Sequence, residues 1–282
     1  MSFEGAGGLA IVGDGSALPD ASVADPGAVL AALDIDARLL RGHTSLNPFP
    51  VAVTARDAGD LATALRSLPG AATAVFLART DPVRARAAQR NLAASGRIPV
   101  ITEQDTLAIA LAATVLVTVR RADIAPGDAR VVVAGPGVAP LLVPLLMAVG
   151  VGDIASWNQA DALDFPLSGF ARDANAVIDL VGAANGLRPA FQTDPSSMVL
   201  TAGDPVAHLL ALPGLLLALR KGPIASLAGD PLEHLDAHRA CAQALATLTP
   251  VDRVLPELAD PDLTHRVARA VTEALRPPPR AR

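Results

Sequence analysis

Arg130-Val-Val-Val-Ala-Gly-Pro-Gly-Val-Ala-Pro140 decides the fold class. An unbroken apolar, β-rich run enters Gly135-x-Gly137, and an apolar segment of helical period, Val138–Val149, follows. A strand without polar alternation is buried on both faces, as inside a parallel sheet covered by helices. In a dinucleotide-type βαβ unit the first glycine permits the tight turn and the second lets a pyrophosphate approach the backbone. The third lets helix and strand pack closely. Here the third position is Pro140. Proline in a first helical turn lacks an N–H that would be free anyway, so the fold tolerates it. The next strand, Asp153–Trp157, is followed by Asn158, where an acidic residue would accept ribose hydroxyls. An amide can still hydrogen-bond a ribose, without a carboxylate's charge assistance. Gly135, Gly137, Val138 and Asn158 are therefore the candidate cofactor residues. The competing reading is a nucleotide-type fold that no longer holds nucleotide, since fold alone does not establish function.

Outward from this unit, short β-rich runs alternate with helical segments, the pattern that wraps helices around a mostly parallel sheet. Strands are expected at Leu9–Val12, Pro50–Thr54, Thr73–Ala78, Pro99–Ile101, Arg130–Ala134, Asp153–Trp157, Ala176–Val181 and Met198–Thr201. Helices are expected at Pro26–Leu40, Ala58–Ser67, Pro82–Ser95, Gln104–Arg121, Val138–Val149, His208–Arg220, His234–Leu248 and Leu263–Leu275. Asp25-Pro26 and Asp81-Pro82 each supply a capping carboxylate and a first-turn proline. The tail Arg276–Arg282, with three consecutive prolines, cannot continue the last helix. No sequence repeat is visible. A boundary between residues 103 and 104 divides a small N-terminal βα domain from a larger α/β domain, and the cleft between them is the natural ligand site.

Composition narrows the class further. With 51% hydrophobic but only 2% aromatic residues, and no tyrosine, the core must be built from small aliphatic side chains. A single cysteine, Cys241, excludes an internal disulfide framework and fits a reducing compartment, so a cytoplasmic location is expected. The longest apolar stretch, Leu107–Val119, stops at Arg120-Arg121 and is too short to span a membrane. A net charge of −5 with interspersed signs gives no footprint for nucleic acid or an anionic bilayer.

The order of segments carries more than any one motif. Gly8-Leu-Ala-Ile-Val-Gly-Asp-Gly-Ser-Ala17, Asn47-Pro-Phe-Pro-Val51, Ile98-Pro-Val100 with Glu103-Gln104, the Gly135 loop and Leu210-Ala-Leu-Pro-Gly214 follow one another in turn. From Gly8 to Leu275 this succession resembles the bacterial malic enzymes. The resemblance implies an α/β fold, with a small N-terminal βα domain followed by a Rossmann-like, doubly wound NAD-binding-type domain. It also implies NAD or NADP as cofactor, a small-molecule ligand and a homodimer. In that family a divalent cation, a lysine base and a tyrosine acid oxidise and decarboxylate malate.

The same resemblance shows what is missing. Asp36 falls at the lysine position, and the chain has no tyrosine. Arg38 and Arg41 cannot serve as bases, because arginine is effectively never deprotonated. The adjacent Glu-Asp metal ligands correspond to Leu77-Ala78, leaving Glu103 as a vestigial ligand, and an asparagine pair corresponds to Ala207-His208. One carboxylate is too little for a divalent site.

Three functional readings follow: a malic-enzyme-like scaffold without malate oxidation, the leading one; a cleft refitted for another small-molecule reaction, with Asp36, His208 and Glu103 taking part; and a non-catalytic oligomerisation partner. His208 could be tuned by Asp204 or Glu103, but is more simply a satisfied structural histidine. Glu103 on its own reads as a surface or cap residue, and Asp14 as a turn residue. Glu233-His234-x-x-x-His238 sets two imidazoles one helical turn apart but lacks the glutamate of zinc hydrolases, so it reads as a solvated helix face. Cys241 reads as a core residue rather than a nucleophile.

Overall fold

The computed structural model describes residues 8–18, 25–93, 98–186, 198–201, 204–221 and 231–276. The chain forms two four-stranded, wholly parallel sheets. The first contains β1 (Gly8–Gly13), β2 (Pro48–Ala52), β3 (Ala72–Leu77) and β4 (Val100–Thr102), in the order β2-β1-β3-β4. The second contains β5 (Arg130–Ala134), β6 (Asp153–Trp157), β7 (Ala176–Asp179) and β8 (Met198–Thr201), in the order β6-β5-β7-β8. Each sheet places its second strand outside its first and then runs to the third and fourth. The topology therefore repeats where the sequence does not.

The helices are α1 (Pro26–His43), α2 (Ala58–Arg66), α3 (Pro82–Ala93), α4 (Glu103–Arg121), α5 (Leu142–Ala148), the single turn α6 (Leu167–Phe170), α7 (Leu212–Lys221), α8 (Leu235–Leu248) and α9 (Leu263–Ala274). Every expected strand is present. The capping carboxylates act as expected: Asp25 accepts from the Gly27 N–H, and Asp81 accepts from that of Arg84. The tail residues 277–282 and Gly203 lie outside the described residues.

Strand alternation sorts each sheet's side chains between two layers. Leu9, Ile11 and Phe76 pack with Leu33 and Leu40 of α1 and Ile109 of α4, whereas Ala10, Val12, Val75 and Leu77 pack with Leu61 and Leu65 of α2 and Ala85 of α3. In the second sheet Val131, Val133 and Ile178 join the same large core as α4, and Val132, Ala134 and Val177 pack with Trp157 and Leu167 on the opposite face. Helices or turns thus cover both faces of each sheet, the reason the central strands β1, β3, β5 and β7 read as largely apolar runs.

Helix α4 joins the two halves. It is buried on all sides from Gln104 to Val119 apart from Leu107, and it packs on α5, α8 and the short 3-10 turn Ala207–Leu209. Thr114 and Thr118 are accommodated there by donating their hydroxyls to Ala110 and Thr114 carbonyls, at 2.9 and 2.8 Å. Among the described residues no helix is long and apolar enough to cross a membrane.

Two helices begin later than their periodicity suggests. Pro136–Val138 is a 3-10 turn, and α5 starts only at Leu142. The reason is Pro140, which forces the preceding Ala139 out of the helical region, to φ −131° and ψ 78°. Pro140 consequently stands in the turn before the helix rather than in its first turn. Likewise α7 starts at Leu212, with Pro213 in its first turn, and the preceding His208 sits in the separate turn Ala207–Leu209.

Candidate functional site

In open parallel sheets ligands sit beyond the carboxyl ends of the strands. Two residues past β3, Arg79 adopts φ 53°, a left-handed conformation that disfavours residues with a β-carbon. The turn is held by Glu103, the first residue of α4. Glu103 Oε2 accepts from the Arg79 backbone N–H at 2.7 Å, and Oε1 accepts from Nη1 at 2.5 Å. Arg79 Nη2 donates to both oxygens of Asp36, at 3.3 and 3.1 Å. Asp36 belongs to the buried face of α1 and is only 1% exposed. Behind it lies His208, whose Nε2 is 3.3 Å from Asp36 Oδ2 without an aligned hydrogen bond. The imidazole lies nearly parallel to the Phe76 ring, at 12° and a centroid distance of 6.1 Å.

Two helices, α1 through Asp36 and α4 through Glu103, thus converge on one guanidinium. Arginine's rigid planar fork can serve two carboxylates at once, and both bonds are charge-assisted. Each carboxylate has a cationic partner, but the partner is shared.

In front of Arg79 opens a cleft of about 620 Å³, lined by Ala17, Leu18, Ile35, Leu107, Val138 and other small apolar residues, with Arg79, Glu103 and Gln104 as its polar groups. Gln104 is buried; its Nε2 donates to the Thr80 carbonyl at 2.8 Å, and its Oε1 has no hydrogen-bond partner among the described residues. At the neighbouring turn, Asp14 accepts from the Ser16 N–H and pairs with Arg84 at 2.6 Å, so it anchors α3 as well as shaping its own turn.

The loop after β5 reaches the same cleft through Val138. Gly135 has φ 78°, and a β-carbon there would lie 2.3 Å from Val181 Cγ1. Both facts require glycine. Gly137 is exposed, and a β-carbon there would meet nothing within 4 Å, so the protein itself does not demand that glycine. Asn158 is exposed after β6. The loop after β7 is organised by Asp179, whose carboxylate accepts from the N–H groups of Val181, Ala183 and Ala184 at 3.2, 3.1 and 2.8 Å. That cap ends β7 two residues earlier than expected and holds Val181 against Gly135.

The expected residues Asp36, His208 and Glu103 are therefore together: Arg79 links Asp36 to Glu103, and His208 lies against Asp36. Their surroundings correct several readings. His208 faces Asp36, whereas Asp204 is exposed and caps its own turn by accepting from the Val206 N–H. Glu103 is not a free surface carboxylate but the anchor of Arg79. His238 is not on a solvated face: it is 3% exposed, with Nδ1 3.0 Å from the His234 carbonyl oxygen, and its surroundings include Asp105, Arg86 and His234. Burial holds its imidazole below the ordinary histidine range. Asp105 in turn accepts from Gln89 Nε2 at 3.1 Å. Cys241 is fully buried, which pushes its thiol up to about 12, and is unreactive core.

Arg79 and Asp179 escaped the sequence reading. Their one legible signal was position, since each lies at or just past the carboxyl end of a central parallel strand.

Two parallel sheets of matching order, joined by a buried helix and carrying a dinucleotide-type loop at the head of the second, define an α/β class with an intervening cleft. Solved structures then give the particular fold. The NAD-dependent malic enzyme from Thermotoga maritima superposes with a TM-score of 0.74 at 17% identity, covering 94% of this chain and 84% of that one. The Entamoeba histolytica malic enzyme gives 0.77 at 16% identity over 96% and 69%, and that of Pyrococcus horikoshii 0.73 at 15% over 95% and 76%. The chain has the malic-enzyme fold. No protein-family profile matches the sequence, and no curated protein matches it.

Proposed function

We propose that this chain is a malic-enzyme-fold protein, divided between residues 103 and 104, that binds NAD(H) on its second sheet but does not oxidise malate. The observation that carries this reading is the Arg79 guanidinium between Asp36 and Glu103. In the family that the sequence resembles, carboxylates in this region hold a divalent cation. Here the carboxylates that remain are engaged by a covalently tethered cation, and Leu77 and Ala78 supply no oxygen ligand from their side chains. Among the described residues no group of three or more histidine, cysteine or acidic side chains could hold a metal ion. The residues do not fit a divalent centre, which needs several fixed oxygen ligands.

The dinucleotide loop fits its cofactor better. Gly135 supports the turn, Gly137 leaves room for phosphate oxygens to approach the backbone, Val138 borders the cleft and Asn158 is free to meet a ribose hydroxyl. Bound there, NAD(H) would supply hydride chemistry; this chain's own residues supply the phosphate turn and an apolar wall.

The test is a coupled assay with malate, Mn²⁺ or Mg²⁺ and either nicotinamide cofactor. The account expects no turnover above background, and robust turnover overturns it.

The convergence of His208 on Asp36 favours a second reading, a different small-molecule reaction in which this pair relays a proton. Its burial behind Arg79 ranks it second. The Asp36→Asn variant decides: a proton relay loses turnover of any substrate found for the intact chain, while a structural pair keeps it.

A further inference from the structure

We infer that the cleft in front of Arg79 takes a compact apolar molecule with an uncharged or cationic hydrogen-bond-donor headgroup, of the class of aliphatic amines and alcohols, and rejects carboxylates. This deepens the reading that malate oxidation is lost and rests on it.

Arg79 brings one positive charge, and Asp36 and Glu103 bring two negative ones. His208 beside Asp36 adds either nothing or one positive charge, according to its protonation. The cluster is thus net negative or neutral and in neither state net positive. A carboxylate or phosphate entering the cleft finds no uncompensated cation, and it must face Glu103 across an apolar space where like charges repel more strongly than in water. Arg79 has N–H hydrogens to spare, but two carboxylates already compensate its charge, so an entering anion gains no net positive partner there.

Hydrogen-bonding capacity points the same way. Arg79 already directs its backbone N–H, Nη1 and Nη2 at carboxylates, and Gln104 directs its Nε2 at the Thr80 carbonyl. The N–H hydrogens left on Arg79 belong to a guanidinium already compensated by two carboxylates, whereas the Glu103 carboxylate keeps further lone pairs and the adjoining Gln104 has a buried Oε1 without a partner among the described residues. A buried acceptor without a partner is costly to leave so, and a ligand's N–H or O–H satisfies it. The remaining lining is aliphatic, including Leu18, Ile35, Leu107 and Val138, and the cleft's 620 Å³ falls within the ordinary range of small-molecule sites.

The experiment compares three probes of similar shape, isopentylamine, isopentanol and isovalerate, together with malate, by saturation-transfer NMR on the full-length protein at about 10 mM, a concentration suited to fragments of this size. The expected order is amine, then alcohol, with isovalerate and malate silent. In Glu103→Gln the amine should weaken about tenfold and isovalerate should become visible, because the cluster has lost one negative charge. In Gln104→Met both amine and alcohol should weaken. Thermal melts establish that each variant is folded; should either not be, the wild-type order alone decides. Isovalerate or malate binding the wild type as tightly as the amine overturns the inference, as does the absence of binding by all three probes. Malate turnover in the coupled assay would instead sink the underlying reading, so the two failures are distinguishable.

Discussion

The carboxyl ends of the two sheets share a topology and differ in how they are finished. At the first sheet charged groups beside the cleft are paired with one another: Arg79 bridges Asp36 and Glu103, and Asp14 holds Arg84. At the second sheet the loop is built from backbone geometry, with Gly135 locked by Val181 and Gly137 left open. At the first end charges are spent on one another behind an open cleft, and at the second the Gly137 backbone is left exposed. Each end is stabilised by its own local contacts, so on the proposed reading the chemistry of one strand end is lost independently of the binding loop of the other.

The sharpest way to break this contrast is at Arg79. Arg79→Ala should destabilise the protein by about 3 kcal/mol in urea unfolding, the lower part of the range for breaking a buried pair, because Arg79 and Glu103 retain some contact with water. Arg79→Lys should recover only part of that loss, since an ammonium cannot span both carboxylates with a planar fork. Mn²⁺ should raise the melting temperature of Arg79→Ala and leave the wild type unchanged. Wild-type stability surviving Arg79→Ala would show that the cluster closes nothing.

The two glycines of the second loop give the next test. Gly135→Ala should cost about 1–3 kcal/mol from the left-handed backbone alone, with the Val181 contact added to it. Gly137→Ala should change stability by less than about 0.5 kcal/mol yet weaken NAD(H), because its freedom serves a ligand rather than the fold. Equal stability losses at both positions would remove the distinction.

A smaller effect comes from His238, which lies outside both ends. Its pKa is lowered in the folded protein by burial. The unfolded chain therefore takes up this proton first as the pH falls. Stability is unaffected by His238 above the ordinary histidine value of about 6.5, and is lost below it toward the folded pKa, at no more than about 1.4 kcal/mol per pH unit. His238→Gln should flatten urea midpoints between pH 6.5 and 5 relative to wild type, by roughly that contribution.

Much of the architecture was legible because a buried parallel strand leaves a continuous apolar run, as at Val131–Ala134; the edge strands Asp153–Trp157 and Met198–Thr201, though partly exposed, also have the bounds that their β-rich sequences suggest. Helix starts were less legible where proline intervened, as at Pro140, since periodicity does not register the steric effect on the residue before proline. The candidate site was legible as a set of residues but not as a network. Asp36, His208 and Glu103 stand out by comparison with a catalytic pattern, yet Arg79 binds two of them from a turn that no local periodicity marks. His238 failed for a related reason: a polar residue on an apparently solvated stretch is buried by α4 from far away in sequence, and only the tertiary contact with Asp105 reveals it.

The most direct measurement is isothermal calorimetry on one preparation, titrated separately with NADH and with Mn²⁺ in the presence of malate. The account predicts a saturable heat for NADH and none for the metal with malate. A stoichiometric, tight Mn²⁺ isotherm would contradict it, because it would mean that the carboxylates around Arg79 remain available to a metal.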